Sequence, residues 1–477
     1  MKAQAAFVVL ISLSGLVSSA LATPSWHDLA ISAPRYELVH KLNKTSIDFY
    51  LRTRAEQGYN AVQTVVISEN NGTTRPNFYG DLPFNNSDTT QPNEAYFRLI
   101  DWTVDRAASY GLLMVLVPAW GNWISGGWHG TEEPLFNDST AYEWGKYVGA
   151  RYPGIPKILG GDTNCLWARN LMKASISYSA SPNVDPATLV GTIEDTTHLW
   201  VNMRSGVKDG ETAQGYEPVI LYHPTAGRIA RPVSTPEAIG HLMLPKEEDR
   251  VSIDAVQSGH ATPESVGPFT PFETRDSTKN YELIAAMLDG FTGPVLDLEN
   301  HYEGAHYNLD TKYPIWNASQ VRTGLYNGVY SGAAGFTYGA NSVWQMRYAS
   351  PIRHQATSKP LCSELELLLP ARHLLGSPNG YTDVAVNAFE STRFISVLAS
   401  GDHARYFVYT GRGDSFSLEL GNGSDRSGTA RWFSPRDGQY YAGSIVSVPA
   451  SGDSTRVDFT PPSSGGVDND WVLALEF

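Results

Sequence analysis

Cysteine is nearly absent: Cys165 and Cys362 are the only two in 477 residues. A disulfide scaffold is therefore excluded, and the pair either forms one bridge or stays free and buried. Positive charge is in deficit, with 35 Lys and Arg against 49 Asp and Glu and a formal net charge of −14. That balance argues against nucleic acid or an anionic membrane as the main partner. Beyond the N-terminus no apolar run is long enough to cross a bilayer. There is no low-complexity tract, and no Gly-rich nucleotide loop follows the first recognisable strand. Nothing in the sequence demands a cofactor. His223 and His260 lie on separate segments without tight ligand spacing, so no metal site is expected.

What is present starts with a secretory pattern. Lys2 supplies the positive end, Ala5–Val17 is apolar, and Ala20-Leu21-Ala22 is a small-residue cleavage site. Residues 1–22 are read as a signal peptide, with the mature chain secreted to the cell exterior; an uncleaved anchor is the alternative. Six Asn-x-Ser/Thr sequons, at Asn43, Asn71, Asn85, Asn137, Asn317 and Asn422, fit a secreted glycoprotein. The chain also carries 12 Trp and 25 Tyr, whose flat faces suit sugar rings, although most belong in a core.

Length alone suggests about three domains, but α/β barrels exceed the usual domain size, so two are expected. The first domain is expected at 23–350, and residues 44–340 within it alternate helical and strand-like periods. Thr45-Ser46-Ile47-Asp48 resembles a capping box, and Ile47, Leu51 and Ala55 recur at helical spacing up to Gly58. Residues 93–111 and 139–151 are further helices. Strands are predicted at Asn60–Ser68, Leu112–Trp120, Pro156–Asp162, Pro218–Pro224, Ser252–His260, Pro294–Asn300 and Ala334–Gly339. Leu112–Trp120 is wholly apolar, as in a parallel sheet covered on both faces.

Seven strand-then-helix units point to a (β/α)8 barrel that is one strand short; an open doubly wound sheet is the alternative. The stretch before residue 45 holds no convincing strand and contains Pro34. Residues 176–215 look inserted and polar, a lid or a surface excursion.

Residues 341–374 read poorly, with the junction itself at 351–374, where "SELELLLPARHLL" is a helix broken at Pro370. Residues 375–477 change pattern. Short alternating runs, "TDVAVNAFE", "FISVLAS", "ARYFVYT", "SFSLELG", "TARWFSP", "TRVDFTPP" and "DWVLALEF", are separated by Gly, Asp, Ser and Pro. That is the signature of an antiparallel β-sandwich.

The candidate chemistry sits where polar and aromatic residues follow the strands: Trp120, Asp162, His223, His260, Glu299 and Tyr338. A parallel barrel places its active site at that end. Asp162 and Glu299 each close an apolar run, and two carboxylates facing one bond hydrolyse a glycoside. One must stay protonated and the other charged, which needs different environments. Read singly, either acid is a loop hydrogen-bonder, and Asp162-Thr163-Asn164 is a reasonable N-cap cluster. Asp297, two residues before Glu299, should face the same side of the sheet, and Glu303 follows closely; either competes as partner or substrate contact. Asp254 reads as structural. His223 and His260 read as hydrogen-bonding groups. Cys165 as a nucleophile lacks a nearby His pattern.

"VPAWGNW" (Val117–Trp123), "GKYVGARYPGIPKILGGDTN" (Gly145–Asn164), "YHP" (Tyr222–Pro224), "QSGH" (Gln257–His260), "VLDLENHYEG" (Val295–Gly304) and "GFTYGANSVWQM" (Gly335–Met346) occur in this order. Together they resemble the apiosidase-like glycoside hydrolases, in which a (β/α)8 barrel precedes a C-terminal β-sandwich. "RWFSPRDG" (Arg431–Gly438) and "DWVLALEF" (Asp470–Phe477) are similar to that sandwich.

The resemblance implies retaining, endo-type cleavage of apiose-containing side chains of pectin. It implies Asp162 as acid/base and Glu299 as nucleophile. Trp120, Asn164, His223, Gln257, His260, Tyr302 and Tyr338 then lie near the sugar. Retention would need the carboxyl groups about 5–5.5 Å apart. The C-terminal module of such proteins carries a collagen-binding label. Nothing in this sequence supports collagen as a ligand, and a packing sandwich is the expectation.

One departure stands out. The family opens with a strand ending in a Gly-Asp-Thr type motif before the segment matching "YELVHKL" (Tyr36–Leu42), and no such strand is predicted here. The leading expectation is a secreted glycoside hydrolase acting on plant cell-wall polysaccharide. The rivals are a carbohydrate-binding or adhesion protein with a degenerate site, and a glycosidase for another sugar. Fold alone does not fix the chemistry.

Overall fold

This computed structural model describes residues 29–32, 37–126, 133–161, 168–169, 194–223, 228–230, 251–259, 272–274, 280–288, 291–306, 311, 314–344, 394–420, 425–449, 455–466 and 468–477. They fall into two compact units. One runs from Ala30 to Asn317 and resumes at Phe336; the other joins Ala318–Gly335 to the C-terminal strands.

The first unit is a closed parallel barrel. Its strands are β1 (Leu29–Ser32), β2 (Ala61–Val65), β3 (Leu113–Val117), β4 (Lys157–Gly160), β5 (Ile220–His223), β6 (Asp254–Val256), β7 (Val295–Asp297) and β8 (Gly335–Ala340). Their order in the sheet is β5-β4-β3-β2-β1-β8-β7-β6. A parallel bridge between Leu221 and Ile253 joins β5 to β6 and completes the ring. β2 and β3 pair from Ala61↔Leu113 to Val65↔Val117, and β4 and β5 from Lys157↔Ile220 to Gly160↔His223. These strands are buried along their length, as a parallel sheet covered on both faces requires, and even Gln63, Thr64, Lys157 and His223 are enclosed.

The strand count from sequence is corrected here. β1 exists: Ile31 and Ser32 pair in parallel with Ala61 and Val62, and β1 lies between β2 and β8. Four residues are too few to show a period of two, so the strand owes its place to its two neighbours rather than to its own pattern.

The helices surrounding the strands are α1 (Lys44–Glu56), α2 (Glu94–Ser109), α3 (Asp138–Arg151), α4 (Thr197–Thr212) and α5 (Asn280–Leu288). The cap of α1 also differs from expectation. Asn43, not Thr45, accepts the Ser46 N–H at 2.8 Å, from an extended backbone that positions its side chain over the first turn. α2 begins as predicted, with Asn93 capping Ala95 N–H and Gly111 at φ +75° behind it.

Within the polar excursion expected over 176–215, residues 197–212 form α4, which buries Leu199, Trp200, Met203 and Val207. A Cβ on Gly206 would lie 2.0 Å from the Tyr142 carbonyl oxygen, and one on Gly145 would lie 2.1 Å from that of Met203. Small residues four apart on both helices let the α3 and α4 backbones touch. The buried Lys157–Glu211 pair, 2.6 Å apart, then ties β4 to α4, and Gly154 N–H donates to the second Glu211 oxygen at 2.8 Å. No helix among the described residues is long and apolar enough to cross a membrane.

The second unit contains a five-stranded antiparallel sheet. Its strands are β9 (Ile395–Ala399), β10 (Arg405–Thr410), β12 (Arg426–Ser434), β13 (Gln439–Val448) and β15 (Trp471–Glu476), in the order β9-β10-β15-β12-β13. A hairpin of β11 (Phe416–Leu420) and β14 (Thr455–Phe459) supplies the other layer. Tyr406, Val408, Leu418, Trp432, Phe459 and Leu473 form the shared core. β13 was not predicted; exposed Tyr440, Tyr441 and Ile445 obscure its alternation. The segments "TDVAVNAFE" and "SELELLLPARHLL" lie outside the described residues.

Helix α6 (Ala318–Tyr330) covers β9 and β10. Tyr326 stacks on Tyr409 at 4.6 Å, and Ser396 Oγ donates to Asn327 Oδ1 at 3.0 Å. Arg322 forks onto both oxygens of the fully buried Asp470 at 2.8 and 3.0 Å. Asp470→Ala should strand that buried guanidinium and lower the stability of the second unit by about 3 kcal/mol. Urea unfolding followed by tryptophan fluorescence reads this out, and an unchanged midpoint would mean that the pair is energetically neutral.

Candidate active site

Because the strands run parallel, their C-terminal ends share one rim, and the predicted site residues follow them. His223 ends β5, Glu299 lies two residues past β7, Trp120 follows β3 and Gln257 follows β6. All four are buried.

Glu299 is the centre of what the structure brings together. The Tyr302 hydroxyl donates to its Oε1 at 2.5 Å, and His223 Nε2 stands 3.6 Å from its Oε2. The Tyr302 bond favours the charged carboxylate where burial would otherwise oppose it, and His223 adds to this when it is protonated. The Tyr302 ring reaches this position because residue 339 is glycine: a Cβ there would lie 2.3 Å from the ring. The short stretch Tyr302–Glu303 also pairs in parallel with β8, at Gly339 and Ala340. The next turn is held by His301 stacked on Trp316, ring centres 3.9 Å apart.

Trp120 meets His223 edge to face at 5.3 Å. Gly161 fits against the Trp120 ring, where a Cβ would lie 2.2 Å away, and its φ of +99° suits glycine alone. Gly161 N–H donates to the His223 carbonyl at 3.0 Å, and its own carbonyl accepts from Gly121 N–H at 2.8 Å. The glycines of "LGGDTN" therefore join the strand ends bearing Trp120 and His223. Asp162 and Asn164 themselves, with Cys165, His260 and Cys362, lie outside the described residues. Gly259, just before His260, donates its N–H to the Glu299 carbonyl at 2.8 Å.

The competing acids separate clearly. Asp297 is fully buried and accepts from Ser258 Oγ at 2.7 Å, Asn300 Nδ2 at 2.8 Å and Asn280 Nδ2, on α5, at 3.3 Å. Burial raises its pKa above the usual aspartate value, and those donors only partly offset the rise. It braces β6, β7 and α5 together and shares no described partner with Glu299. The two-residue spacing did not put both acids in one environment, because β7 ends at Asp297 and strict alternation ends with it. Asp254 accepts from Ala255 N–H at 2.9 Å, in keeping with a structural role.

Tyr338 belongs to another cluster. Its hydroxyl donates to Glu303 Oε2 at 2.7 Å, its ring is 6.0 Å from that of Tyr59, and the Arg54 guanidinium lies 5.9 Å from its centre.

One rim acid was missed. Glu37, 1% exposed, follows β1 and accepts at Oε1 from Asn70 Nδ2 at 3.1 Å and Ser68 Oγ at 3.4 Å. Lys41 lies 3.3 Å from the same oxygen. Burial raises the Glu37 pKa against the lowering pull of Lys41. The signal that would have found it is the one used for the others, an acid soon after a strand. It failed because β1 itself went unrecognised. Among the described residues no group of three His, Cys, Asp or Glu could hold a metal ion.

Comparison with known proteins follows this geometry. Residues 33–366 match the family described as "Apiosidase-like, catalytic domain". Residues 385–476 match a family named for a collagen-binding domain of a collagenase. No curated protein matches the chain in sequence. A glycoside hydrolase family 5 crystal structure from Bacteroides vulgatus is similar over 94% of this chain and 89% of its own, with 20% identity and a TM-score of 0.68. A structure titled "Glycoside hydrolase" is similar over 94% and 92%, with 20% identity and a TM-score of 0.69. At that identity the likeness speaks for the fold, a barrel followed by a β-sandwich. The catalytic family covers well over half of the chain, and on that ground the protein belongs to the apiosidase-like glycoside hydrolases.

Proposed function

We propose that this glycosidase is secreted and cleaves apiose-containing side chains of pectic polysaccharide with retention of configuration, using Glu299 as nucleophile and Asp162 as acid/base. The observation that carries the reading is the Glu299 carboxylate, buried at the rim and held by the Tyr302 hydroxyl and His223. A retaining nucleophile must be ionised and aimed, and these two contacts favour both. Glu299 attacks the anomeric carbon while the acid/base protonates the departing oxygen. Water, deprotonated by the same acid/base, then releases the sugar from Glu299 and restores both groups.

Further support comes from Gly160 and Gly161, which deliver the chain to Asp162 from between Trp120 and His223. Trp120, Asn164, Gln257 and His260 complete the proposed sugar contacts, and Tyr338 acts through Glu303. Secretion rests on residues 1–22. Asn71, Asn85, Asn137 and Asn317 are exposed, as glycan acceptors must be. β1 supplies the first strand whose absence favoured a degenerate site, although it does not end in the Gly-Asp-Thr type motif.

The deciding experiment incubates the purified protein with a panel of pectic oligosaccharides and sizes the products; release of no sugar from any of them would refute the pectic assignment. Asp162→Asn and Glu299→Gln should each lower turnover on the order of 10³-fold with the fold intact. Near-normal hydrolysis in either would remove that acid from the mechanism. Tyr302→Phe removes the hydroxyl that holds Glu299 Oε1 and should lower kcat/KM about tenfold with the melting temperature unchanged. Unchanged kinetics would mean that this bond does not aim the nucleophile.

A further inference from the structure

We infer that Phe78 and Tyr79 form an outer sugar subsite on the catalytic rim, a stacking platform for a glycan residue beyond the one that is cleaved. The inference rests on the glycoside hydrolase assignment but not on which sugar is released.

The place comes first. Phe78 and Tyr79 lie in the connection from β2 to α2, which leaves a parallel barrel at the catalytic rim. Phe78 N–H donates to the His40 carbonyl at 2.8 Å, and His40 lies in the connection that follows β1. Lys44 N–H, at the first turn of α1, donates to the Tyr79 hydroxyl at 3.0 Å. The same β2 connection reaches toward the centre: Asn122 Nδ2 donates to the Glu69 carbonyl at 3.4 Å, two residues beyond Trp120.

The surface comes next. Phe78 is 56% exposed and Tyr79 50%, with ring centres 5.3 Å apart in an edge-to-face pair. Two adjacent large aromatic side chains left in water are unfavourable unless something covers them in use. The turn that presents them is fixed. Asn77, 4% exposed, accepts at Oδ1 from Tyr79 N–H at 2.9 Å and Asp81 N–H at 3.0 Å. Its Nδ2 is buried as well, so Asn77 braces the turn beneath the two rings and does not itself face a ligand.

Aromatic faces take the C–H face of a sugar ring. An oligosaccharide already held at the rim presents such a face at high local concentration.

Phe78→Ala in the full chain tests the idea, since so exposed a side chain contributes little to folding; an unchanged melting temperature checks that. The substrates are a cell-wall polysaccharide that the wild type cleaves and its shortest cleavable fragment. On the polymer kcat/KM should fall roughly tenfold, through KM, with the fragment unaffected and Phe78→Trp restoring affinity. Equal loss on both substrates, or no loss on the polymer, would overturn the subsite. Should the wild type cleave no polysaccharide, the pectic assignment fails separately. Affinity gels containing the same polymers then decide: weaker retardation of Phe78→Ala upholds the subsite, and identical or absent retardation of both proteins defeats it.

Discussion

A carboxylate stripped of water costs several kcal/mol unless donors replace the water it loses. Glu299 is 2% exposed, and much of the rim is arranged around that cost. The Tyr302 hydroxyl can reach it only because Gly339 leaves room for the ring, and His223 is backed by the edge of Trp120. Trp120 in turn requires a glycine at 161. Each glycine is thus a condition on an aromatic or imidazole ring, and each ring a condition on one charge. Rotamers locked in this way are what a site needs to hold a reacting group within fractions of an ångström.

The contrast with Asp297 shows that environment, not residue type, assigns roles. Two acids stand two residues apart in one segment. Asp297 receives Ser258, Asn280 and Asn300 on Oδ2 and the Ser258 N–H on Oδ1 at 3.4 Å, contacts that tie the fold together. Glu299 is held by Tyr302, with His223 beside it. The last residue of the strand serves as a brace, and the first irregular turn beyond it carries the acid proposed as nucleophile.

Legibility in the sequence followed the same line. Strands such as Leu113–Val117 announce themselves because burial on both faces demands continuous apolar residues. β1 does not, since four residues paired on both sides need no pattern of their own. α4 was hidden because Gly206, Gly210 and the polar and charged residues around its apolar positions Leu199, Trp200, Met203 and Val207 read as a polar excursion. At the site, Glu299, His223, Trp120 and Gln257 were readable as residues that follow strands. The Tyr302–Glu299 bond was not, because contacts three residues apart in an irregular turn have no periodic signature. Glu37 was lost with the strand that precedes it.

The second unit poses a related problem of chain order. Its outer sheet face is closed by α6, which precedes β9 by a long stretch of sequence; Arg322 and Asp470 are 148 residues apart. Tyr409 shows what depends on that closure. Its ring lies flat against Tyr326, its hydroxyl is 3.0 Å from Thr323 Oγ1, and it also donates to Asp470 at 3.4 Å. Strands β9–β15 alone would leave that ring and the Asp470 carboxylate facing water or each other without α6. Docking α6 closes the long loop from Arg322 to Asp470, which costs chain entropy, and the buried fork between them is one of the interactions that offset it.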